Sequence, residues 1–211
     1  FYGVEDNGYG ACKVVTISGT TPSFGTEVTF KAANVGSICN PVYDSNSDKV
    51  VIPYTISGAG KAVVGTVSGT SISFGTEGEF ASVSTSVKSA TFDSTANKIM
   101  VAHVESVSTF DGHVSIGTVS GAGISFGTAF NFTDPNNANP ISAIYDSNAD
   151  KTVMCYRAES VGRAKVVSAT TPLTIGSDYY AQGDGTISTS SSNVKLGRAL
   201  SGTILDLEYQ S

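Results

Sequence analysis

The chain has few charged side chains and no tryptophan, and these shortages exclude several classes of protein. Only 14% of its 211 residues are Asp, Glu, Lys or Arg, and the net charge is −6. Lysine and arginine form no cluster, so a nucleic-acid-binding surface is not expected. No apolar run approaches the ~18 residues that a membrane-spanning helix needs, so membrane insertion is not expected either. Any stacking on a sugar ring falls to tyrosine and phenylalanine.

Cysteine and histidine are too few and too scattered for a disulfide framework or a metal centre. The three cysteines are odd in number and form no CxxC pair. Cys12 and Cys155 occupy strand positions and are predicted to be buried apolar residues, whereas Cys39 is predicted to be a free thiol in a loop. His103 is predicted to be a strand residue that packs or faces solvent, and His113 an exposed one. Neither fits a zinc-binding pattern, so we predict no metal and no cofactor.

The chain does contain one phrase repeated three times. The copies are Phe24-Gly25-Thr26, Phe74-Gly75-Thr76 and Phe126-Gly127-Thr128, and an altered fourth copy contains Ile175-Gly176. Their spacing is close to fifty residues, a period that suits one blade of a β-propeller. The residue that recurs at one phase of the repeat is predicted to be buried between blades, at Phe24, Phe74, Phe126 and Ile175.

Residues 89–132 show the repeating unit most clearly. Strand A is predicted at 89–93, strand B at 98–104, strand C at 113–119 and strand D at 124–132. The strands are rich in β-branched residues and are separated by short turns, so neighbours pair antiparallel. Each A–B turn begins with an aspartate, at Asp44, Asp93 and Asp146. We predict a turn capped by its own carboxylate, because the glycine and distal glutamate of an EF-hand loop are missing.

We therefore predict an all-β fold, a single four-bladed β-propeller over residues 1–211 with four-stranded antiparallel blades. Three blades cover approximately residues 41–80, 89–132 and 141–180. The fourth joins residues 193–211 to residues 1–30, which removes an unpaired sheet edge. In that blade residues 193–200 form strand A and residues 10–30 form strands C and D. Either residues 1–7 or residues 203–209 form its strand B.

One set of connections varies between the repeats and is the predicted binding face. The D–A and B–C connections share one face of a propeller, and here they differ from copy to copy, whereas the A–B and C–D turns are near-copies. Variable loops on a rigid scaffold are where binding residues concentrate. The candidate ligand residues are Tyr9, Asn34, Asn40, Phe110, Asp134, Asn136, Asn137 and Asp184. Glu105 and Glu159 lie on the same face and are interpreted as scattered, solvated carboxylates.

The sequence shows no constellation that would make the protein an enzyme. A hydrolase needs a nucleophile with a base and an orienting group, or a pair of carboxylates. The glycine-rich segments 58–60 and 183–185 precede no predicted helix, so they are turns rather than phosphate-binding loops. We therefore predict a non-enzymatic protein.

Two segments carry a resemblance to a known group of proteins. Residues 64–76, Val-Gly-Thr-Val-Ser-Gly-Thr-Ser-Ile-Ser-Phe-Gly-Thr, and residues 42–51, Val-Tyr-Asp-Ser-Asn-Ser-Asp-Lys-Val-Val, resemble repeats in tail-fibre and other virion structural proteins of tailed phages, particularly marine ones. Residues 197–203 are similar to the segment that ends many such arrays. The resemblance covers about residues 10–205, and no functional residue can be carried over from it.

The resemblance implies an extracellular module on the virion surface, in a tail fibre or a capsid decoration. Its expected partners are other virion proteins or host-surface glycan, and it is expected to work as an oligomer within a particle. Two alternatives stay open at this point. One is a bacterial cell-surface adhesin, and the other is a glycan hydrolase built on a propeller.

Overall fold

The computed structural model is an all-β fold, as the sequence predicts. It describes residues 2–4, 8–106, 110–133, 139, 141–158, 160–167, 169, 177–181, 187–188, 195–199 and 204–207. All regular secondary structure in this part of the chain is β-strand, and the paired strands are antiparallel. No helix among these residues is long and apolar enough to cross a membrane.

The N-terminal strands form one large sheet and one separate hairpin. In chain order they are β1 (Tyr2–Val4), β2 (Tyr9–Cys12), β3 (Val15–Ser18), β4 (Thr21–Phe24), β5 (Val28–Ile38), β6 (Val42–Asp44), β7 (Lys49–Ile56), β8 (Ala59–Ser68), β9 (Ser71–Phe74) and β10 (Gly78–Ala81). The large sheet has the order β1-β2-β5-β7-β8-β10, with β6 also on β7 and β9 also on β8. Strands β3 and β4 pair only with each other among the described strands.

The second sheet confirms the predicted order of strands A to D. Its strands are β11 (Thr85–Asp93), β12 (Lys98–Glu105), β13 (Asp111–Ser120), β14 (Gly123–Phe126) and β15 (Phe130–Asn131). Strand A begins earlier than predicted. Strand D is broken into β14 and β15, and both pieces pair with β13. The break falls at residues 127–129, immediately after the phenylalanine of the repeated phrase.

The third sheet overturns the predicted closure of a fourth blade by both termini. Its strands are β16 (Ile141–Asp146), β17 (Lys151–Ala158), β18 (Val161–Val167), β19 (Asp178–Ala181), β20 (Ile187–Ser188), β21 (Lys195–Ala199) and β22 (Ile204–Leu207), in the order β16-β17-β18-β22-β21-β19-β20. Strand β21, predicted to join residues 10–30, pairs instead with β19 and β22. Strand β1 pairs with β2, in another sheet.

The predicted closure fails because the edge of β18 pairs with a strand of the same unit. Strand β22 covers the edge of β18 that would otherwise expose unpaired backbone groups. Leu205 and Ala199, on β22 and β21, are buried against Val166 of β18, which gives this pairing a small core of its own. The described strands show no closed barrel or propeller, so the four-bladed ring stays a prediction.

The hydrophobic core lies between successive repeats, which we call units. Unit 1 comprises β1–β4 and the first half of β5, unit 2 the second half of β5 to β10, unit 3 β11–β15 and unit 4 β16–β22. Three buried clusters occupy the contacts between units 1 and 2, 2 and 3, and 3 and 4. On β12, Ile99 and Val101 face unit 2, whereas Met100 and Ala102 face unit 4. Successive side chains of a strand point to opposite faces, so unit 3 is covered on both sides.

The same alternation explains why one cysteine prediction is wrong. Cys155 on β17 is exposed, between the buried Met154 and Tyr156, because only one face of this part of β17 is covered. Cys12 is buried as predicted. Cys39 is a free thiol in the connection between β5 and β6, also as predicted, and its side chain is buried. Burial raises the pKa of the Cys39 thiol to about 12, so the thiol stays protonated and unreactive.

The prediction for the repeated phenylalanine is also wrong in part. Phe24 is 63% exposed, and Phe74 and Phe126 are only half-buried. Ile175 lies outside the described residues. The buried aromatic positions are instead Phe30, Phe80 and Phe132, each six residues after the phenylalanine of the phrase. They lie where strand D passes over the start of strand C, and a Cβ on Gly10 or Gly60 would overlap the ring of Phe30 or Phe80.

The aspartate turns are confirmed. The carboxylate of Asp44 accepts the backbone N–H groups of Asn46 and Ser47 at 2.9 and 3.1 Å. Asp93 and Asp146 accept the corresponding bonds in units 3 and 4. The fifth turn residue has a positive φ in each copy, at Asp48, Asn97 and Asp150, a conformation that Asn and Asp tolerate better than most residues.

Candidate functional site

The B–C and D–A connections meet at one end of the stack of units. The N–H of Thr85, in the D–A connection between units 2 and 3, donates to the carbonyl of Gly58 in the B–C turn of unit 2, at 2.9 Å. Ser84 in the same connection accepts from the N–H of Ser106 in unit 3, at 2.7 Å. The sets of loops expected to form one face are therefore joined by backbone hydrogen bonds.

The structure brings only some of the candidate ligand residues together. Tyr9 and Asn34 are paired across β2 and β5, with Tyr9 half-buried and Asn34 exposed. Phe110 is 52% exposed at the start of β13. The amide of Asn40 is engaged elsewhere, because it donates to the carbonyl of Ala90 at 2.8 Å and accepts from that residue's N–H at 3.2 Å. Asp134, Asn136, Asn137 and Asp184 lie outside the described residues.

Beside this end of the stack, a groove runs between unit 2 and unit 3. Its volume is about 370 Å³, and its lining combines carboxylates, hydroxyls, an imidazole and short apolar side chains. The lining residues are Glu79, Phe80, Ala81, Ser82, Val83, Glu105, His113, Gly127, Thr128 and Ala129. They come from β10, the connection after it, the β12–β13 hairpin and the break between β14 and β15. The groove is wide enough for part of a polar ligand but is not an enclosed pocket.

The polar side chains at the groove form two pairs. Lys61 donates to Glu79 Oε2 at 2.6 Å, across the β8–β10 pair. His113 Nε2 lies 3.8 Å from Glu105 Oε2, and its Nδ1 lies 3.2 Å from the carbonyl of Asp111. His113 is half-buried rather than exposed as predicted, because it pairs with Asn131 of β15 and its ring stacks on that of His103. Carboxylate oxygens, hydroxyls and an imidazole of this kind can bind a ligand rich in hydroxyl groups.

Behind the groove, His103 belongs to a fully buried polar network. Its Nδ1 and Nε2 lie 3.1 Å from Thr85 Oγ1 and Ser115 Oγ, and its ring stacks on His113 with centroids 5.8 Å apart. Ser115 Oγ donates in turn to the carbonyl of Phe80, at 3.0 Å. Burial, and to a lesser extent the neighbouring His113, lower the pKa of His103 to about 3, so this ring is neutral. The network therefore supports the groove wall and does not meet a substrate.

Sequence reasoning missed the meeting of the two histidines, although a signal for it exists. His103 and His113 are partners in the register of the β12–β13 hairpin. Locating the centre of the loop between these strands would have been enough to pair them. The involvement of Glu79 and of residues 127–129 could not be read in this way, because they reach the groove from two different units.

A second cavity, of about 240 Å³, lies between units 1 and 2 and differs in character. Its lining is mainly apolar, and the lining residues are Cys12, Lys13, Val14, Val15, Pro41, Val50, Ile52, Val67 and Ile72. The described residues contain no group of three or more His, Cys, Asp or Glu side chains that could hold a metal ion. The groove between units 2 and 3 is therefore the better candidate for recognition of a polar ligand.

No protein-family model fits the chain, and no curated protein resembles it at a significant level. The candidate site is therefore defined by its own residues and their geometry.

Proposed function

We propose that the protein is a non-enzymatic module of a virion surface, in a tail fibre or a capsid decoration, that binds host glycan through the groove between units 2 and 3. The observation that carries this proposal is the lining of the groove by Glu79, Glu105 and His113 beside the end of the stack that bears the variable loops. Sugar hydroxyls are bound in proteins by such acceptors, which fix orientation in a mostly apolar cleft. The exposed ring of Phe110 lies at the start of β13 and offers a stacking surface.

The chemistry of the groove predicts weak binding at each site. It is open, it contains no tryptophan, and part of its charge is already neutralised by Lys61. An affinity of about 1 mM per site is reasonable for such a surface, and many copies on one particle would raise the avidity by orders of magnitude. An extracellular location on the virion, contacts with other virion proteins and an oligomeric arrangement within the particle are parts of the same proposal.

The finer fold that belongs to this proposal is a row of propeller-type blades, without a ring closed by the termini, because β22 pairs with β18. Face-to-face packing of successive four-stranded units is what blades of a propeller require. A bacterial adhesin that uses the same groove is the alternative of the same chemical type. Identifying the genes that flank this one would separate the two.

One observation supports a second candidate, a glycan hydrolase. Glu79 and Glu105 line the same groove, and a pair of carboxylates is the minimum that glycoside hydrolysis needs. The ion pair between Glu79 and Lys61 weakens this interpretation, since a general acid must hold a proton. Release of reducing ends from a bound glycan, lost in both Glu79→Gln and Glu105→Gln, would establish hydrolysis.

The binding proposal is tested on a glycan array with the chain displayed in many copies on a bead. Glu105→Gln should reduce the signal several-fold because it removes a carboxylate that lines the groove. Phe110→Ala should also reduce it, because it removes the exposed ring proposed as the stacking surface. Asp48→Asn is the matched control, because it changes an exposed carboxylate in the A–B turn at the other end of unit 2. Equal binding by all variants would place the ligand elsewhere. No glycan bound, with virion assembly lost when residues 106–112 are replaced, would identify the face as a contact with another virion protein.

A further inference from the structure

The contacts between units 1 and 2 and between units 2 and 3 follow one aromatic rule. The buried phenylalanine of strand D packs between a strand B ring and the hairpin phenylalanine of the next unit. Phe30 lies 5.4 Å from Tyr54 and 5.8 Å from Phe74, measured between ring centroids. In the next contact Phe80 lies 5.2 Å from His103 and 5.6 Å from Phe126. In units 2 and 3, the hairpin of strands C and D therefore packs against the preceding unit.

The glycine of the repeated phrase completes the same contact. A Cβ on Gly25 would lie 2.1 Å from the carbonyl oxygen of Thr70, and one on Gly75 would lie 1.8 Å from that of Ala122. Both carbonyls belong to the C–D turn of the following unit. The N–H of Thr76 also donates to Ala122, at 3.1 Å. The C–D turn of one unit thus packs on the Phe-Gly-Thr strand of the unit before it.

Unit 1 has the receiving hairpin, but no described unit lies on it. Its hairpin is β3–β4, in which Val15 is paired with Phe24 as Gly65 is with Phe74 in unit 2. Phe24 is 63% exposed and Ile17 is 71% exposed. A terminal repeat that faces solvent normally has a polar outer face. Unit 1 has kept the apolar residues of an internal unit at these positions instead.

We propose that the face of hairpin β3–β4 bearing Ile17 and Phe24 is a docking site for one further unit of the same repeat, ahead of unit 1. The occupant carries the pattern Phe-Gly-Thr-x-x-x-Phe, which is shared by residues 24–30, 74–80 and 126–132. Its glycine lies under the carbonyl of Thr20, the counterpart of Thr70 and Ala122. Its second phenylalanine covers Phe24. This inference is independent of what the groove between units 2 and 3 binds.

A fusion protein tests the proposal directly. A copy of residues 45–100 is fused ahead of Phe1, so that it supplies one additional Phe-Gly-Thr unit. The copy ends inside β12, a strand B, so that its last residues continue into β1 in the same register. Phe24→Trp then introduces the only tryptophan of the chain. Compared with the unfused Phe24→Trp protein, the fusion should show blue-shifted tryptophan emission and several-fold weaker quenching by acrylamide.

Two substitutions within the copied segment provide the control. Gly75→Val places a side chain against the carbonyl of Thr20 and should restore quenching. Ser73→Ala changes an exposed residue of the same strand and should leave the protection intact. A longer fusion that copies residues 2–100 keeps the native contact between units 1 and 2 inside the added part, and guards against misfolding of the shorter one.

The proposal is overturned if the introduced tryptophan is quenched equally with and without the added unit, or if neither fusion folds cooperatively. It is also overturned if the unfused protein becomes protected as its own concentration rises, since a second copy would then be the occupant.

Discussion

The contacts between units 1 and 2 and between units 2 and 3 share their packing but differ in their polar residues. In both contacts a strand D phenylalanine packs against the next unit. The strand B ring that it meets is Tyr54 in the first contact and His103 in the second. Around the second contact, Glu79, Glu105 and His113 occupy the positions held by Thr29, Ile56 and Lys61 around the first. The repeated residues build the stack, and the substituted ones build the groove.

The largest expected effect comes from removing the shared phenylalanine. Phe80→Ala should cost roughly 3–5 kcal/mol of unfolding free energy, because a ring that is 5% exposed leaves a cavity between two units. Phe30→Ala should cost about as much locally, but its cavity lies at the edge of the stack. Urea unfolding followed by hydrogen exchange should show units 2 and 3 both weakened by Phe80→Ala. Phe30→Ala should weaken unit 1 first, and identical exchange patterns would contradict this division.

The glycine contacts come next in size. Gly75→Ala should destabilise the protein by about 3 kcal/mol, because its methyl group would overlap a backbone carbonyl that cannot move without displacing the next hairpin. Gly25→Ala should cost slightly less, since its overlap is smaller by the distances above. Gly127→Ala is the control, because a Cβ there meets no described atom within 4 Å. Thermal unfolding checks the order, and an equal loss for Gly127→Ala would show that the residues are needed only for backbone freedom.

The sequence predicts features that depend on residues close together in the chain, but not those that depend on contacts between distant residues. Strand order within unit 3 and the capped turns depend on residues a few positions apart, so both could be predicted. Whether β21 pairs within unit 1 or within unit 4 depends on which sheet edge is open to it, and no local sequence pattern distinguishes these two pairings. The exposure of Phe24 could not be predicted from the repeat either, because units 1 to 3 carry the same phrase but have different neighbours.

The groove shows the same division. Glu105 and Phe110 could be placed on the variable face because their loop departs from the repeat. Glu79 lies in a segment close to its copies and was not singled out, since its role arises only from contact between units 2 and 3. His113 was predicted to be exposed by comparison with the lysines at its position. The cover over it comes from strand pairing within its own unit.

Replacing the aspartates of the A–B turns should cost less stability, and the cost should differ between the three turns. Asp44→Ala should cost about 2 kcal/mol, because this buried carboxylate accepts two backbone bonds and one from the Ser47 hydroxyl. Asp93→Ala should cost less, since only two backbone bonds are lost. Asp146→Ala should cost least, because its turn is exposed. Urea midpoints of the three variants give the order, and Asp44→Asn, which keeps one acceptor oxygen, should recover part of the loss.

The smallest effect is a pH dependence that belongs only to the contact between units 2 and 3. The folded protein keeps His103 neutral down to a pKa of about 3, whereas in the unfolded chain this ring takes up a proton near its ordinary pKa of 6.5. Between these values the unfolded state binds more protons, so stability falls as the pH falls. From pH 7.5 to pH 5.5 the loss due to His103 should be roughly 1.4 kcal/mol.

His103→Gln should remove this part of the pH dependence, because the amide can still bond to Thr85 and Ser115 but does not titrate. Carboxylate titrations are common to the parent protein and to His103→Gln, so the difference between their two slopes is due to His103. Urea unfolding at several pH values measures the slopes. If His103→Gln loses stability towards low pH as steeply as the parent, the buried network is not the source of the acid sensitivity.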